Sequence, residues 1–378
     1  MNTLTVDSAP HLRAADDIAR IMWDVVIALI PALAAAAVFF GWYALVLVAL
    51  SVATAVLTEA AIQRLRRVPV TIGDGSAAVT GILLAFVIPA DAPLYVPVVG
   101  SFVAIAIVKQ CFGGLGCNIW NPALGGRAFL HFAYPVVFNA GKWAVLKPER
   151  WLVGAVYRTR EALAGSAVAG SVPADALQKM ADAVTQATPL KVLKDFAARA
   201  ATDGADTAAW QRLFSHQEVT VLNEKMQLAS PLRMFSGDIP GCIGEVSAAA
   251  LIIGGIYLLL RGRIKWQVPV LYMGTVFVLT AVLPMASGLG WFPGVRVGLY
   301  HLLAGGLMLG AIFMATDMVT SPITVKGQVI FAVGCGVLTA LIRLFGGFPE
   351  GVCFSILLMN TAVPLIDRYT QPRVFGAR

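Results

Sequence analysis

The first candidate for chemistry is a threonine followed by a proline, in the segment Ala187-Thr188-Pro189-Leu190. Pro189 disfavours helical geometry at Thr188 and suits the first turn of a following helix, so the pattern predicts that Thr188 is a helix N-cap. A helix N-terminus has unpaired N–H groups and a partial positive charge, and Lys191 and Lys194 follow closely. Two roles are open for the hydroxyl: a plain cap, or an attachment point for a phosphate ester that the helix terminus stabilises.

Acidic residues at apolar segments form the second group of candidates, because a carboxylate in lipid is costly and marks a functional site by default. Asp24, Glu59, Glu245, Asp317 and Asp367 each lie within or at the edge of an apolar run. Each could lie on an ion path, or could be an interfacial carboxylate, a helix cap or the partner of a nearby arginine. The ion-path candidates are Glu245, Asp317 and Asp367.

Other polar residues are candidates by their spacing. Arg127 and His131 are four residues apart, which places them on one helix face, where they could contact a cofactor, an acid or a partner subunit. Asn118 and Asn121 lie among glycines 113, 114, 116, 125 and 126, which indicates backbone that leaves helical form and lines a site, with close helix packing as the alternative. His301 stands alone in an apolar run and is interpreted as a core histidine.

The composition determines which elements position these residues. Of 378 residues, 58% are hydrophobic and only 13% charged, and the mean hydropathy is +0.78, which indicates a polytopic membrane protein rather than a soluble domain. The net charge of +7 arises from basic residues at the ends of apolar runs, so it indicates topology and not nucleic-acid binding. The five cysteines show no zinc or disulfide spacing, and no metal site or removable signal peptide is expected.

Apolar runs predict about ten membrane-spanning helices, each long enough, or nearly so, for a hydrocarbon layer of about 30 Å. The third is short and follows Gly73-Asp74-Gly75-Ser76, so a broken helix is expected there. The predicted spans are Ile21 to Phe40, Trp42 to Ala61, Ala77 to Ala90, Leu94 to Cys111, Pro122 to Phe138, Ile243 to Leu260, Val268 to Ala286, Val297 to Ala315, Gln328 to Leu344 and Gly351 to Ile366.

The distribution of Lys and Arg predicts the topology. The basic residues concentrate in alternate short loops, which places both termini in the cytoplasm, while the short loops on the opposite side, near Gly41, Asp91, Pro293 and Gly347, hold only Arg296 and Arg343. This assignment divides the chain into a first transmembrane repeat (1–138), a long, partly helical extracytoplasmic loop that contains Thr188 (139–240) and a second transmembrane repeat (241–378).

Two pairs of similar segments favour an internal repeat. The run from Thr80 to Phe86 is similar to the run from Gly306 to Phe313, and Lys109-Gln110-Cys111-Phe112-Gly113-Gly114 is similar to Arg343-Leu344-Phe345-Gly346-Gly347. Because each repeat would hold five spans, an odd number, the two halves would enter the membrane in opposite senses, with any central site at their interface. Chance similarity among Leu, Ala and Gly is the alternative.

The chain resembles the family formed by the D subunits of Rnf electron-transport complexes and, more distantly, the B subunits of the Na⁺-pumping NADH:quinone oxidoreductase (Nqr). The motifs that support the resemblance run through most of the chain in order. They are Phe112 to Ala123, Ala187-Thr188-Pro189-Leu190, Gly241 to Ser247, Ala315-Thr316-Asp317 with Ser321-Pro322, and Pro364-Leu365-Ile366-Asp367. Thr185-Gln186 stands where the Nqr protein usually has Ser-Gly, which favours the Rnf protein.

The resemblance implies FMN joined to Thr188 by a phosphoester, a fold similar to that of urea transporters, and a bacterial inner-membrane location with the Thr188 loop in the periplasm. It implies electron relay among flavin-bearing and iron-sulfur partner subunits, coupled to Na⁺ or H⁺ movement, with no complete reaction on this chain alone. It also links Asp367 to sodium handling, and riboflavin is the candidate for a second flavin near Asn118 and Asn121. The alternatives are an Nqr-type protein, a redox-inactive channel of the urea-transporter type, and a scaffold that has lost its flavin.

Overall fold

The computed structural model describes residues 17–139, 231–237, 241–245, 247–284, 291–345 and 350–371. Thr188, its motif and most of the predicted extracytoplasmic loop lie outside these described residues. The described ranges form helices joined by turns, and the β structure found among them is one isolated antiparallel bridge between Pro89 and Cys242. The prediction of an all-helical membrane chain is confirmed at this level.

The first part of the chain, residues 17–139, contains six helices. They are α1 (Ile18–Phe40), α2 (Trp42–Leu65), α3 (Ser76–Phe86), α4 (Tyr95–Gln110), α5 (Pro122–Ala133) and α6 (Pro135–Asn139). The last seven residues of α4 form a π-helical stretch, Ala104–Gln110. A Gly41 with φ 77° separates α1 from α2, a conformation that glycine adopts without the steric penalty of a side chain.

The second part, residues 231–371 as described, contains seven helices. They are α7 (Pro231–Ser236), α8 (Ala248–Leu260), α9 (Gln267–Pro284), α10 (Trp291–Leu303), α11 (Leu307–Met314), α12 (Val325–Phe345) and α13 (Val352–Thr370).

Four described helices are long and apolar enough to cross a membrane, namely α1, α2, α12 and α13, and α10 with α11 would add a fifth span if that bent pair is counted as one. Helices α3, α4, α8 and α9 are apolar but shorter. The count of ten spans therefore stays a prediction.

The eighth predicted span is not continuous. Its helix ends at Leu303, turns at Gly305 with φ 69°, and resumes at Leu307 with a bend of 63°. The prediction treated this apolar run as one continuous helix, because hydropathy does not register the buried polar groups that bind the backbone at the break.

The position of Arg343 also differs from the prediction. The sequence placed it in a short loop, but it lies within α12 and is 2% exposed.

The short helices α3 and α11 run in opposite directions past one another. The start of α3 and the end of α11 line the same cavity. At the other end, the segment Gly241 to Glu245 contacts both the end of α3 and the start of α11. At about 1.5 Å per residue, neither helix can cross a layer of about 30 Å alone, so each leaves a helix terminus inside the protein that needs a polar partner.

Helices α1 and α8 join the two parts by close packing. A side chain added at Gly254 of α8 would place its Cβ 2.1 Å from the carbonyl oxygen of Ala28 in α1. At the same interface, Asp24 accepts hydrogen bonds from Tyr257, Arg261 and Arg263, the Arg263 contact being 2.7 Å. Asp24 is therefore the partner of nearby arginines, the structural alternative that the sequence left open.

Candidate functional site

A cavity of about 80 Å³ lies between the start of α3 and the end of α11. Its lining includes the apolar side chains of Met22, Leu83, Leu258 and Phe313. It also includes polar side chains from both parts of the chain: Ser76, Thr80, Lys109, Asn118, Asn121, Arg263, Thr316 and Asp317. An apolar cavity with a few convergent polar groups is the usual form of a small-molecule or cofactor site.

Asn121 lines this cavity and forms hydrogen bonds with both parts of the chain. Its Oδ1 caps the N-terminus of α5 by accepting from the amides of Ala123 and Leu124, and its Nδ2 donates to the carbonyl oxygen of Met314 at the end of α11, at 3.3 Å. The Asn–Pro sequence explains the local geometry, because Asn is a favoured N-cap and Pro122 suits the first helical position.

Asn118 lines the cavity, and its side chain can accept a further hydrogen bond. Its Nδ2 donates to the carbonyl oxygen of Trp120, while its buried Oδ1 has no hydrogen-bond partner among the described residues. The backbone that leads to it turns through Gly113, Gly114 and Gly116, with φ values of 125°, 103° and 91°, a conformation that glycine adopts readily. The predicted irregular backbone is confirmed at Gly113, Gly114 and Gly116, whereas Gly125 and Gly126 lie within α5 and pack closely against α4, the stated alternative.

Asp317 follows α11 and is partly buried at the same cavity. Its carboxylate accepts from the Val319 amide at 3.3 Å and from the Thr320 hydroxyl at 3.1 Å. Burial raises the pKa of Asp317 above its ordinary value, although these hydrogen bonds and the Lys109 charge act in the opposite direction.

Lys109 brings a buried positive charge to the start of α3. Its ammonium group lies 2.8 Å from the Glu59 carboxylate and donates to the Ser76 hydroxyl at 2.7 Å, and both charged residues are 1% exposed. Gln110 also donates to Glu59, at 2.9 Å. Glu59 is thus fully engaged in an ion pair and hydrogen bonds, as a buried carboxylate requires.

The cavity adjoins a larger opening of about 1050 Å³. The two share the lining residues Met22, Leu115, Met318 and Val319. Asp367 lines the opening, where its carboxylate accepts from the Ile323 amide at 3.2 Å. Of the three acids proposed for an ion path, the structure brings Asp317 and Asp367 to this connected space and places Glu245 elsewhere.

Glu245 belongs to a second buried charge cluster, at the start of α11. Arg127 of α5 donates to Glu350 and lies 3.6 Å from Oε1 of Glu245, so the predicted contact of Arg127 with an acid is present. The Gly306 amide donates to Glu350. Burial opposes ionisation of Glu350, but the charges of Arg127 and Arg343 and the Gly306 hydrogen bond hold its pKa below the ordinary value.

Arg343 completes this second cluster and donates to two backbone carbonyl groups. Its guanidinium donates to the carbonyl oxygens of His301 and Ala304, at the end of α10. His301 itself is buried, in agreement with its interpretation as a core residue. A helix end inside an apolar environment leaves such carbonyls unsatisfied, and a buried arginine is a suitable donor.

Sequence reasoning missed Glu350, and it treated Lys109 and Arg343 as loop charges. A signal for Glu350 existed, because this acid directly precedes Gly351 at the start of the last apolar run. Lys109 and Arg343 also belong to the two segments that were compared as parts of a possible repeat, although the Phe-Gly-Gly match within them aligns Arg343 with Gln110. In the structure, each lies beside the start of a short helix, Lys109 at α3 and Arg343 at the turn into α11.

Comparison with known proteins gives consistent matches along nearly the whole chain. The family model described as NQR2, RnfD, RnfE family matches residues 5–376. The D subunit of the Na(+)-translocating ferredoxin:NAD(+) oxidoreductase complex of Acetobacterium woodii is 43% identical over 375 residues, which cover 99% of this chain and 95% of that protein.

Two further relatives have similar names. The D subunit of the proton-translocating ferredoxin:NAD(+) oxidoreductase complex of Clostridium ljungdahlii is 42% identical over 379 residues, covering 100% of this chain and 97% of that protein. The D subunit of the ion-translocating oxidoreductase complex of Stutzerimonas stutzeri is 38% identical over 365 residues, covering 94% of this chain and 92% of that protein.

Proposed function

The chain belongs to the NQR2, RnfD, RnfE family, and on that premise we propose that it is the D subunit of an Rnf-type ion-translocating ferredoxin:NAD⁺ oxidoreductase. The observation that carries this function is the identity of 43% and 42%, over at least 95% of their lengths, to the D subunits of complexes named for that reaction. One of those complexes is named for Na⁺ and the other for protons, so both ions stay open for this chain.

The proposed redox group is FMN, esterified through its phosphate to the hydroxyl of Thr188. The support is the sequence Ala187-Thr188-Pro189-Leu190, the expected helix N-terminus at that threonine, and the two lysines that follow. A flavin supplies the one- and two-electron chemistry that side chains lack, while the protein binds it, orients it and adjusts its electrostatic environment. Thr188 lies outside the described residues.

The proposed place for a second, non-covalent flavin such as riboflavin is the cavity between α3 and α11 together with the adjoining opening. A flavin ring is flat, with one apolar edge and one edge of hydrogen-bonding groups, and the lining of the cavity offers both apolar and polar side chains. The free Oδ1 of Asn118 could accept from a ring N–H, with Asn121 and Thr316 beside it. The cavity alone is smaller than a flavin ring, and the adjoining opening supplies the remaining volume.

The proposed architecture is ten spans in two inverted repeats, 1–138 and 241–378, separated by a periplasmic loop at 139–240, with both termini in the cytoplasm of a bacterial inner membrane. Two observations support it. The short helices α3 and α11 are antiparallel, and each has a buried cation beside its start, Lys109 for α3 and Arg343 for α11.

The proposed partners are the other membrane, flavin-bearing and iron-sulfur subunits of the complex, which would provide the ferredoxin and NAD⁺ sites. This chain would then relay electrons and help to move the ion without completing a reaction alone. An Nqr-type protein is the second candidate function, since the family name includes both groups. In-gel fluorescence of the denatured chain tests the proposal, because a covalent flavin survives denaturation whereas a channel or a flavin-free scaffold would show none.

A further inference from the structure

The cluster around Glu245 contains a buried carboxylate oxygen that lacks a hydrogen bond. Glu245 is 5% exposed, and its Oε1 has no hydrogen-bond partner among the described residues. Its nearest positive charge is the Arg127 guanidinium at 3.6 Å, a distance beyond hydrogen-bonding range. Arg127 makes its short contact with Glu350 instead. An ionised carboxylate in this position has lost its hydrating water, and no described group donates a hydrogen bond to Oε1 in its place.

A second carboxylate makes the position less favourable still for a negative charge. Oε1 of Glu350 and Oε1 of Glu245 lie 2.6 and 2.9 Å from the point that a Cβ on Gly306 would occupy, so the two acids meet at the start of α11. Like charges at such short range disfavour ionisation of both groups, and one of two neighbouring carboxylates then retains a proton. Glu350 is held ionised by Arg127 and the Gly306 amide, which leaves Glu245 as the proton acceptor.

We propose that Glu245 reversibly binds one proton at Oε1 and that the cluster of Glu245, Glu350 and Arg127 is a protonation site shared by both membrane parts. The groups that face Glu245 electrostatically are Glu350 from the segment before α13, Arg127 from α5, Cys242 from its own segment and Arg343 from α12. With both acids ionised the two arginines balance them, and binding of one proton leaves the cluster with one positive charge.

The ligand is a proton rather than a metal cation for a reason of coordination. Hard cations take about six oxygen ligands, whereas a proton needs a single free oxygen. The two guanidinium groups of Arg127 and Arg343 also repel an additional metal charge. The described residues include no group of three or more His, Cys, Asp and Glu arranged to hold a metal ion.

A small cavity lies beside this site. It lies between α5 and α13, has a volume of about 30 Å³, and is lined by Arg127, His131, Glu350 and Cys353 among others. That volume is enough for about two water molecules. The cavity reaches Arg127 and Glu350, the two groups adjacent to Glu245, so water held there would lie next to the cluster. The use of this proton in ion movement rests on the proposed function, whereas its binding can be measured without it.

The test is infrared difference spectroscopy of the full-length chain in lipid nanodiscs during a pH titration. The wild type is expected to show a protonated carboxyl C=O band that disappears as the pH rises and shifts in D₂O. Glu245→Gln keeps the shape of the protonated side chain and should lose one such band, while Glu245→Asp should retain one. Asp17→Asn, at an exposed position, is the matched control and should change no buried band.

Two further arms exclude the alternatives. Glu350→Gln removes the neighbouring negative charge, so the Glu245 band should disappear at a lower pH. An unchanged spectrum in Glu245→Gln would overturn the proposal, and so would a titration midpoint that shifts when Na⁺ replaces choline, because that result indicates a metal cation at the site. Covalent flavin is assayed on the same samples: its presence without the Glu245 band contradicts only the protonation site, and the band without flavin contradicts only the redox function.

Discussion

The side-chain amide of Asn121 in the first part of the chain donates a hydrogen bond to the carbonyl oxygen of Met314 in the second part, at 3.3 Å. The contact joins the start of α5 to the end of α11, and Asn121 lines the cavity together with Asn118. The candidate cofactor site is therefore built from both parts of the chain, and substitutions on either side are expected to affect it.

Replacement of Asn118 by alanine should weaken binding of a non-covalent flavin. Loss of one hydrogen bond costs about 1–1.5 kcal/mol, which corresponds to roughly tenfold in affinity. The measurement is the flavin released by acid precipitation of the purified complex and quantified by chromatography. Thr54→Val is the matched control, because the Thr54 hydroxyl bonds within its own helix at Leu50. Equal flavin release from both variants would exclude Asn118 as a contact.

Thr188→Ala should abolish covalent flavin fluorescence of the denatured chain while membrane insertion is retained. The reason is that the proposed phosphoester needs the Thr188 hydroxyl, and no other hydroxyl lies in the Ala187 to Leu190 motif. The protein must be produced together with the modifying enzyme of its host. Thr185→Ala, three residues away, is the control and should keep the fluorescence; loss of the signal there instead would show that the attachment site is misassigned.

Lys109→Met should destabilise the protein by about 3–5 kcal/mol, because it leaves the Glu59 carboxylate buried without its cation. Glu59→Gln in the same chain should recover a large part of that loss, since the uncompensated charge is then absent. Thermal unfolding in detergent, arranged as a double-mutant cycle, measures the coupling. Lys326→Met, at an exposed position, should have little effect. Strictly additive effects of the two core substitutions would contradict the buried pair.

Gly254→Ala should destabilise the contact between α1 and α8 by about 1–3 kcal/mol, because the added Cβ would meet the Ala28 carbonyl oxygen at 2.1 Å and backbone must move. Gly274→Ala in α9 is the matched control: nothing lies within 4 Å of its Cβ position, so helix propensity predicts no loss and a gain of up to about 1 kcal/mol. Denaturant titration in detergent compares them, and equal stability of the two variants would argue against close packing at Gly254.

The stability of the wild type relative to Asp317→Asn should fall as the pH rises. Burial raises the folded-state pKa of Asp317, so the folded protein holds that proton more tightly than the unfolded chain, whose pKa is about 3.9. The resulting stabilisation is complete below that pH and is lost as the pH rises through the folded-state pKa. Unfolding temperatures of both proteins from about pH 4 upward test the direction; a difference independent of pH would refute it.

The sequence by itself determined the class of the protein and its family. Apolar runs require a lipid environment whatever their partners, and the motifs from Phe112 to Asp367 identify the family without any contact being known. It also marked Asn118, Asn121 and Arg127 as candidate site residues, because glycines beside polar groups and an arginine in an apolar run are unusual locally.

Only the tertiary structure decided which buried carboxylates are paired with a cation and which have an oxygen without a hydrogen bond. By sequence, Asp24, Glu59 and Glu245 are all acids at apolar runs, but in the structure the first two are held by Arg263 and Lys109, whereas the Oε1 of Glu245 has no hydrogen-bond partner among the described residues. Glu350 is distant from Glu245 in the sequence, and the two acids come together only in the folded chain. The energy of a buried carboxylate depends on groups that are tens to hundreds of residues away in the chain, so no local pattern around an acid can reveal whether it is structural or available for chemistry.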